Sequence, residues 1–237
     1  MSITLTLGEN QISNIMDIAA NIERISKTIR DGVTLVAISK FHPAEAIMQA
    51  YNAGQRDFGE SRVQELAQKV KDLPKDIRWH FIGHLQTNKV RALVPGVSLI
   101  HSIDSEHLLR YVNKEAARIG KVVDVLLQVY VAKEESKFGF DAEECLLLLT
   151  EDFLAEIQNV RICGVMAMAT NTEDVDEIKS EFSAAKSIFD KLKSGIMSDK
   201  PYFKEISMGM SDDYVYAMEE GSTMIRIGSS IFGERQY

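Results

Sequence analysis

The 237-residue chain is 45% hydrophobic and 26% charged, the balance of a soluble globular protein with a sizeable core. Its formal net charge of -8 argues against a general nucleic-acid binder, which carries a basic balance. Cys145 and Cys163 are the two cysteines; they match no metal-ligand spacing and read as reduced, buried thiols of a cytoplasmic protein. Met1–Ser13 has no basic and apolar leader pattern, and no apolar run is long enough to span a membrane.

In chain order, Asn10–Arg30 carries Ile12, Ile15, Met16, Ile18, Ala19, Ile22 and Ile25, a helical stripe ahead of the first strand. Thr34–Ser39 then reads as a strand, followed by a helix over Pro43–Ala53 that Gly54 ends. Next come strand Arg56–Gly59 with helix Ser61–Lys71, and strand Arg78–Gly83 with helix Leu85–Leu93. Strand Ser98–Ile103 precedes helix Ser105–Ile119, ended by Gly120. The second half gives strand Val122–Val131 with helix Ala142–Ile157, and strand Val160–Met168 with helix Thr172–Lys193. Strand Phe203–Met208, helix Asp212–Glu220 and strand Thr223–Gly228 complete the series. Asp141, Asn171 and Ser211 are the expected N-caps. Near-continuous apolar strands suit a parallel sheet covered on both faces. Eight such strands alternating with helices, in one domain over residues 1–237, predict an α/β fold: a (β/α)8 TIM barrel with an extra N-terminal helix. The rival is an open doubly wound sheet, and its GxGxxG after the first strand is absent.

In such a barrel the site lies at the carboxyl ends of the strands. Val36, Ile38 and Lys40 share one strand face, so an inward Val36 and Ile38 bring Lys40 to the top of the barrel interior. A strand-end lysine commonly snorkels into water, whereas a desolvated one can form a Schiff base with a carbonyl. Met224, Arg226 and Gly228 also share a face, and Gly228-Ser229-Ser230 before a short helix offers backbone N–H groups and two hydroxyls. That is phosphate-cradle chemistry where these barrels place it, and a plain turn with serine caps is the simpler reading of the tripeptide alone. Ser207 and Gly209, in EISMGMSDDY, end the preceding strand. WHFIGHLQTNK, Trp79–Lys89, holds His80 and His84, but a strand end and Gly83 separate them, which disfavours a metal pair. Glu60 in DFGESRVQE starts a helix, where a negative charge is favourable.

SK after the first strand, FGE–VQE, HFIGHLQTNK, SMGMSDD and GSTMIRIGSSIFG occur in this order. Together they resemble the pyridoxal-phosphate homeostasis protein family, single-domain relatives of the alanine racemase amino-terminal barrel, over nearly the whole chain. The resemblance implies a barrel holding pyridoxal 5′-phosphate (PLP) as an internal aldimine on Lys40. It places Arg226 at the pyridine nitrogen and Ser207, Gly228 and Ser229 on the phosphate, with Ser61, Met208, Ser230 and Lys137 as further candidates near the cofactor. This chain has Ser61-Arg62 where the family commonly has Asn-Tyr, and Ser229-Ser230 in place of Thr-Ala; the hydroxyl at 229 is kept.

A carboxylate beside the pyridine nitrogen would hold it protonated; an arginine only donates and disfavours the pyridinium. The racemases also draw a tyrosine base from an added β-domain, for which this chain has no room. The expectation is therefore a cytoplasmic PLP carrier, with PLP-dependent apo-enzymes as partners and little or no turnover. It is expected to be a monomer because no interface segment stands out. The alternatives are a PLP-dependent racemase or other PLP enzyme lacking the second domain, and a cofactor-free lysine aldolase.

Overall fold

Strand periodicity decides which side chains see the barrel axis, and closure follows from pairing each strand with the next in the chain. The computed structural model describes residues 17–132 and 138–233. Its strands are β1 (Thr34–Ile38), β2 (Asp57–Glu60), β3 (Arg78–Phe81), β4 (Leu99–Ile103), β5 (Val123–Gln128), β6 (Val160–Met166), β7 (Glu205–Ser207) and β8 (Met224–Ile227). They close into a barrel in that order, all parallel, with Val36 of β1 beside Arg226 of β8. Closure leaves no open sheet edge.

The helices are α1 (Ile18–Ser26), α2 (Ala44–Asn52), α3 (Val63–Asp72), α4 (Thr87–Leu93), α5 (Glu106–Arg118), α6 (Ala142–Leu148), α7 (Glu151–Glu156), α8 (Val175–Ser194), α9 (Tyr214–Glu219) and α10 (Ser229–Phe232). Val36, Ile38, Leu99, Leu126, Cys163, Met166 and Met224 form a small inner cluster. Their strand neighbours Ala37, Phe58, Ile100, Val125 and Ile225 join a much larger cluster with the helices outside. Gly59 belongs to the inner face, because a Cβ there would stand 2.4 Å from Ile38 Cδ1. The N-terminal helix is anchored late in the chain: Asn21 Nδ2 donates to the Ile231 carbonyl at 3.1 Å. The part of the expected Asn10–Arg30 helix before residue 17 lies outside the described residues.

Local chemistry corrects three expectations. The helix expected over Ala142–Ile157 is two helices, because Leu149 leaves helical geometry and Thr150 caps a new start, accepting from Phe153 N at 3.2 Å. Asp174 rather than Asn171 caps α8, accepting from Asp176 N and Glu177 N. Ser211 does not cap α9; Asp213 precedes that helix, and its Oδ1 takes the Met210 N–H. Asp141 does cap α6, in a reciprocal pair with Glu144.

Candidate functional site

Lys40 lies two residues past β1, in a turn whose next residue, Phe41, has φ 67°. A bulky aromatic in the left-handed region is an outlier costing about 1–3 kcal/mol. The surrounding groups hold it there. Glu65 Oε1 accepts the Phe41 N–H at 2.8 Å, the Arg62 guanidinium lies 4.5 Å over the Phe41 ring, and Lys69 Nζ donates to the Ser39 carbonyl at 2.9 Å. The backbone on both sides of Lys40 is thus fixed from behind by α3 and the residue before it.

The same support contains a buried carboxyl. Glu60 Oε1 accepts from Ser39 Oγ at 2.6 Å and from Lys69 Nζ at 2.8 Å, while Oε2 meets no donor among the described residues. Burial pushes the Glu60 carboxyl up to about 7, against the pull of the Lys69 ammonium. A carboxyl raised in the folded state favours folding in its neutral form, so that contribution is present below pH ~4.5 and lost as pH rises through about 7. Glu60→Gln cannot ionise. The wild-type unfolding free energy should therefore fall relative to this variant by at most about 3 kcal/mol between pH 5 and 8. Urea unfolding of both proteins at the two pH values measures it, and parallel behaviour would contradict the assignment.

Lys40 opens on a cavity of about 270 Å³, which Ile38, Ile82, Met166, Met168 and Met210 line together with His42, Ser211, Asp212, Arg226, Gly228 and Ser229. Arg226 is buried; its Nη1 donates to Ser207 Oγ at 2.7 Å and its Nη2 to the Ala167 carbonyl at 3.0 Å. Burial draws its pKa down to about 10, with Asp213 opposing, so the guanidinium is still cationic at neutral pH. Ser229 Oγ and Ser211 Oγ are 3.1 Å apart. A larger cavity, about 520 Å³, lies at the amino ends of the strands, but its charges close on one another. Arg78 pairs with Asp57, Arg161 with Asp124 and Lys204 with Glu205.

The structure brings Lys40, Arg226, Gly228 and Ser229 to one cavity. It sets four of the other sequence candidates apart. Ser207 is fully buried, its hydroxyl engaged by Arg226 and by His101 Nδ1 at 3.0 Å. Met208 is buried in the outer hydrophobic cluster. The Ser61 carbonyl lies where a Cβ on Gly83 would stand 2.2 Å away, so Ser61 packs against the neighbouring loop. Ser230 turns its carbonyl to Arg24 at 3.3 Å. Lys137 lies outside the described residues. Sequence reasoning missed His42, which stacks on Phe232 at 5.0 Å, and Ser211 as a cavity hydroxyl. For Ser211 the signal was its place in the loop after β7, next to the Gly228 loop.

Residues 14–236 match the family described as alanine racemase, N-terminal domain. A pyridoxal phosphate homeostasis protein of Aquifex aeolicus is 40% identical over 86% of this chain and 87% of that protein. Its counterpart in Homo sapiens is 39% identical over 86% of this chain and 77% of that protein. Among solved structures, PipY of Synechococcus elongatus PCC7942, with PLP bound, superposes with a TM-score of 0.81 at 36% identity, covering 91% of this chain and 100% of that one. With a closed eight-stranded barrel, a lysine past its first strand and relatives matched along most of their length, the chain belongs to the pyridoxal phosphate homeostasis proteins, within the alanine racemase N-terminal domain family.

Proposed function

We propose that this protein binds PLP through Lys40 and serves PLP homeostasis in the cytoplasm, holding the cofactor or delivering it to PLP-dependent apo-enzymes, with little or no turnover. The observation that carries this reading is one cavity on which Lys40, Arg226, Ser211 and Ser229 all open. An amine, a buried cation, two hydroxyls and apolar flanks from Ile38, Ile82 and Met166 match an aldehyde, a ring nitrogen, a phosphate and an aromatic face. When bound, PLP supplies an aldehyde that captures amines and a ring that withdraws electrons. Ser211 and Ser229 would donate to the phosphate, together with N–H groups near Gly228 that the first turn of α10 leaves unpaired. Ser61 stays outside this core set, and Lys137 lies outside the described residues.

The chemistry of Arg226 favours a carrier over a catalyst. Its guanidinium offers only donors, so it favours an unprotonated ring nitrogen and weakens electron withdrawal. No described residue on the cavity repeats the tyrosine base expected of a racemase. The two buried, unpaired cysteines suit a reducing compartment, and among the described residues no helix is long and apolar enough to cross a membrane.

Titration of the purified protein with PLP, read in the visible spectrum, tests the reading. One yellow equivalent per chain, transferable to an apo-enzyme and without α-proton exchange of added amino acids in deuterated water, is the expected result. A protein that takes up no PLP overturns it; exchange above a PLP-only control replaces the carrier with a racemase-like enzyme.

A further inference from the structure

One polar thread crosses the hydrophobic interior of the barrel. It begins at Asp57 on β2, at the amino-end cavity, and ends at Arg226 on β8, beneath the Lys40 cavity. Asp57 Oδ1 lies 3.0 Å from His80 Nε2, His80 Nδ1 lies 2.9 Å from His101 Nε2, and His101 Nδ1 lies 3.0 Å from Ser207 Oγ. Arg226 Nη1 closes the series at 2.7 Å from the same hydroxyl. Five strands contribute one residue each, and all five residues are buried.

With both rings neutral, the two ends fix the direction of every bond between them. Guanidinium can only donate and an ionised carboxylate can only accept. Burial pushes the Asp57 carboxyl up, but hydrogen bonds from His80 and Arg78 outweigh it and leave it below its usual range. Asp57 is thus the acceptor at the foot of the thread. Ser207 Oγ accepts from Arg226 and keeps its own proton to donate, and His101 Nδ1 is the acceptor beside it. His101 then carries its proton on Nε2 and donates to His80 Nδ1. His80 in turn carries its proton on Nε2 and donates to Asp57. Every donor meets one acceptor with both rings neutral. A charged His101 would instead donate from Nδ1 as well, leaving the Ser207 proton without an acceptor in the series. Burial, with His80 and Arg226 adding to it, holds the His101 pKa well below the ordinary range, in agreement with this polarity.

We propose that Asp57, His80, His101 and Ser207 are positioning residues for Arg226: the thread orients its guanidinium as a fixed donor toward the PLP ring nitrogen and couples its buried charge to the Asp57–Arg78 pair across the barrel. The proposal rests on the PLP reading above. It asks more of these residues than a satisfied polar core does, because it specifies one tautomer for each ring and ties the series to the cofactor.

The test uses the full chain labelled with ¹⁵N-histidine, apo and PLP-loaded, at pH 7. Five histidines allow assignment by single His→Gln changes. His80 and His101 should both be neutral with the proton on Nε2. In parallel, His101→Phe should release PLP at least ten-fold faster and shift its absorption band. His101→Asn, which can still accept from Ser207, should stay near wild type. Asp57→Asn, nearly isosteric, should move the His80 tautomer without loss of folding. A charged or Nδ1-protonated His101 overturns the thread, even where His101→Phe fails to fold. Identical release rates and bands in the Phe, Asn and wild-type proteins overturn its link to the cofactor. A protein that takes up no PLP sinks the cofactor reading instead, and the tautomers then show separately whether the thread itself exists.

Discussion

Lys40→Ala is expected to abolish the covalent cofactor label on the first βα loop. Reduction of the PLP-loaded wild-type protein with borohydride, followed by cleavage after arginine, should give a peptide 31–56 carrying the cofactor's mass. That peptide contains Lys40 as its only lysine, so the label needs no further mapping. In the variant the label on 31–56 disappears and PLP release accelerates at least ten-fold. The physical basis is placement: Lys40 opens on the cavity that Arg226 also lines, and the strained Phe41 turn holds its backbone from behind. A wild-type label found on any other peptide would refute the assignment of Lys40, while a missing label throughout would refute covalent binding itself.

How much of this was legible in the sequence depends on how local the cause is. The eight strands could be read because burial on both faces leaves nearly continuous apolar runs. Lys40 and Arg226 could be placed because the two-residue period continues through Val36 and Ile38 and through Met224, and the closing strand lies beside the first. The thread could not be read. His101 meets Ser207 across 106 positions, and nothing in either strand's pattern reports the height at which distant strands meet. Phe41 was equally hidden, because the left-handed region favours Gly and Asn and no local residue announces a phenylalanine there. Its conformation is imposed by Glu65 and Lys69 from another element. Ser211 looked like a helix cap by type, and the loop gave that start to Asp213 instead, freeing the hydroxyl for the cavity.

Gly209→Ala should cost stability and cofactor affinity together, and Gly54→Ala separates the reasons. Both glycines have left-handed backbones, φ 97° at Gly209 and φ 98° at Gly54. A Cβ on Gly54 meets nothing within 4 Å, so alanine there incurs only the backbone strain, about 1–2 kcal/mol. A Cβ on Gly209 would stand 2.7 Å from Ala217 Cβ and 2.9 Å from Tyr214 Cα. The second of these is backbone, which cannot swing aside, and such crowding adds about 1–3 kcal/mol. Gly209→Ala is therefore expected to lose about 2–5 kcal/mol, or roughly 5–15 °C in Tm for a chain of this size. The loop it displaces carries the Gly209 carbonyl, which accepts the Arg226 N–H at 3.0 Å, and leads into Ser211 on the cavity. PLP affinity should accordingly fall at least ten-fold in the folded Gly209→Ala protein and stay unchanged in Gly54→Ala. Thermal melts of both variants with and without PLP make the comparison: equal losses in the two would remove the crowding argument. A Gly209→Ala protein that is destabilised but binds PLP as tightly as wild type would detach this loop from the cofactor site.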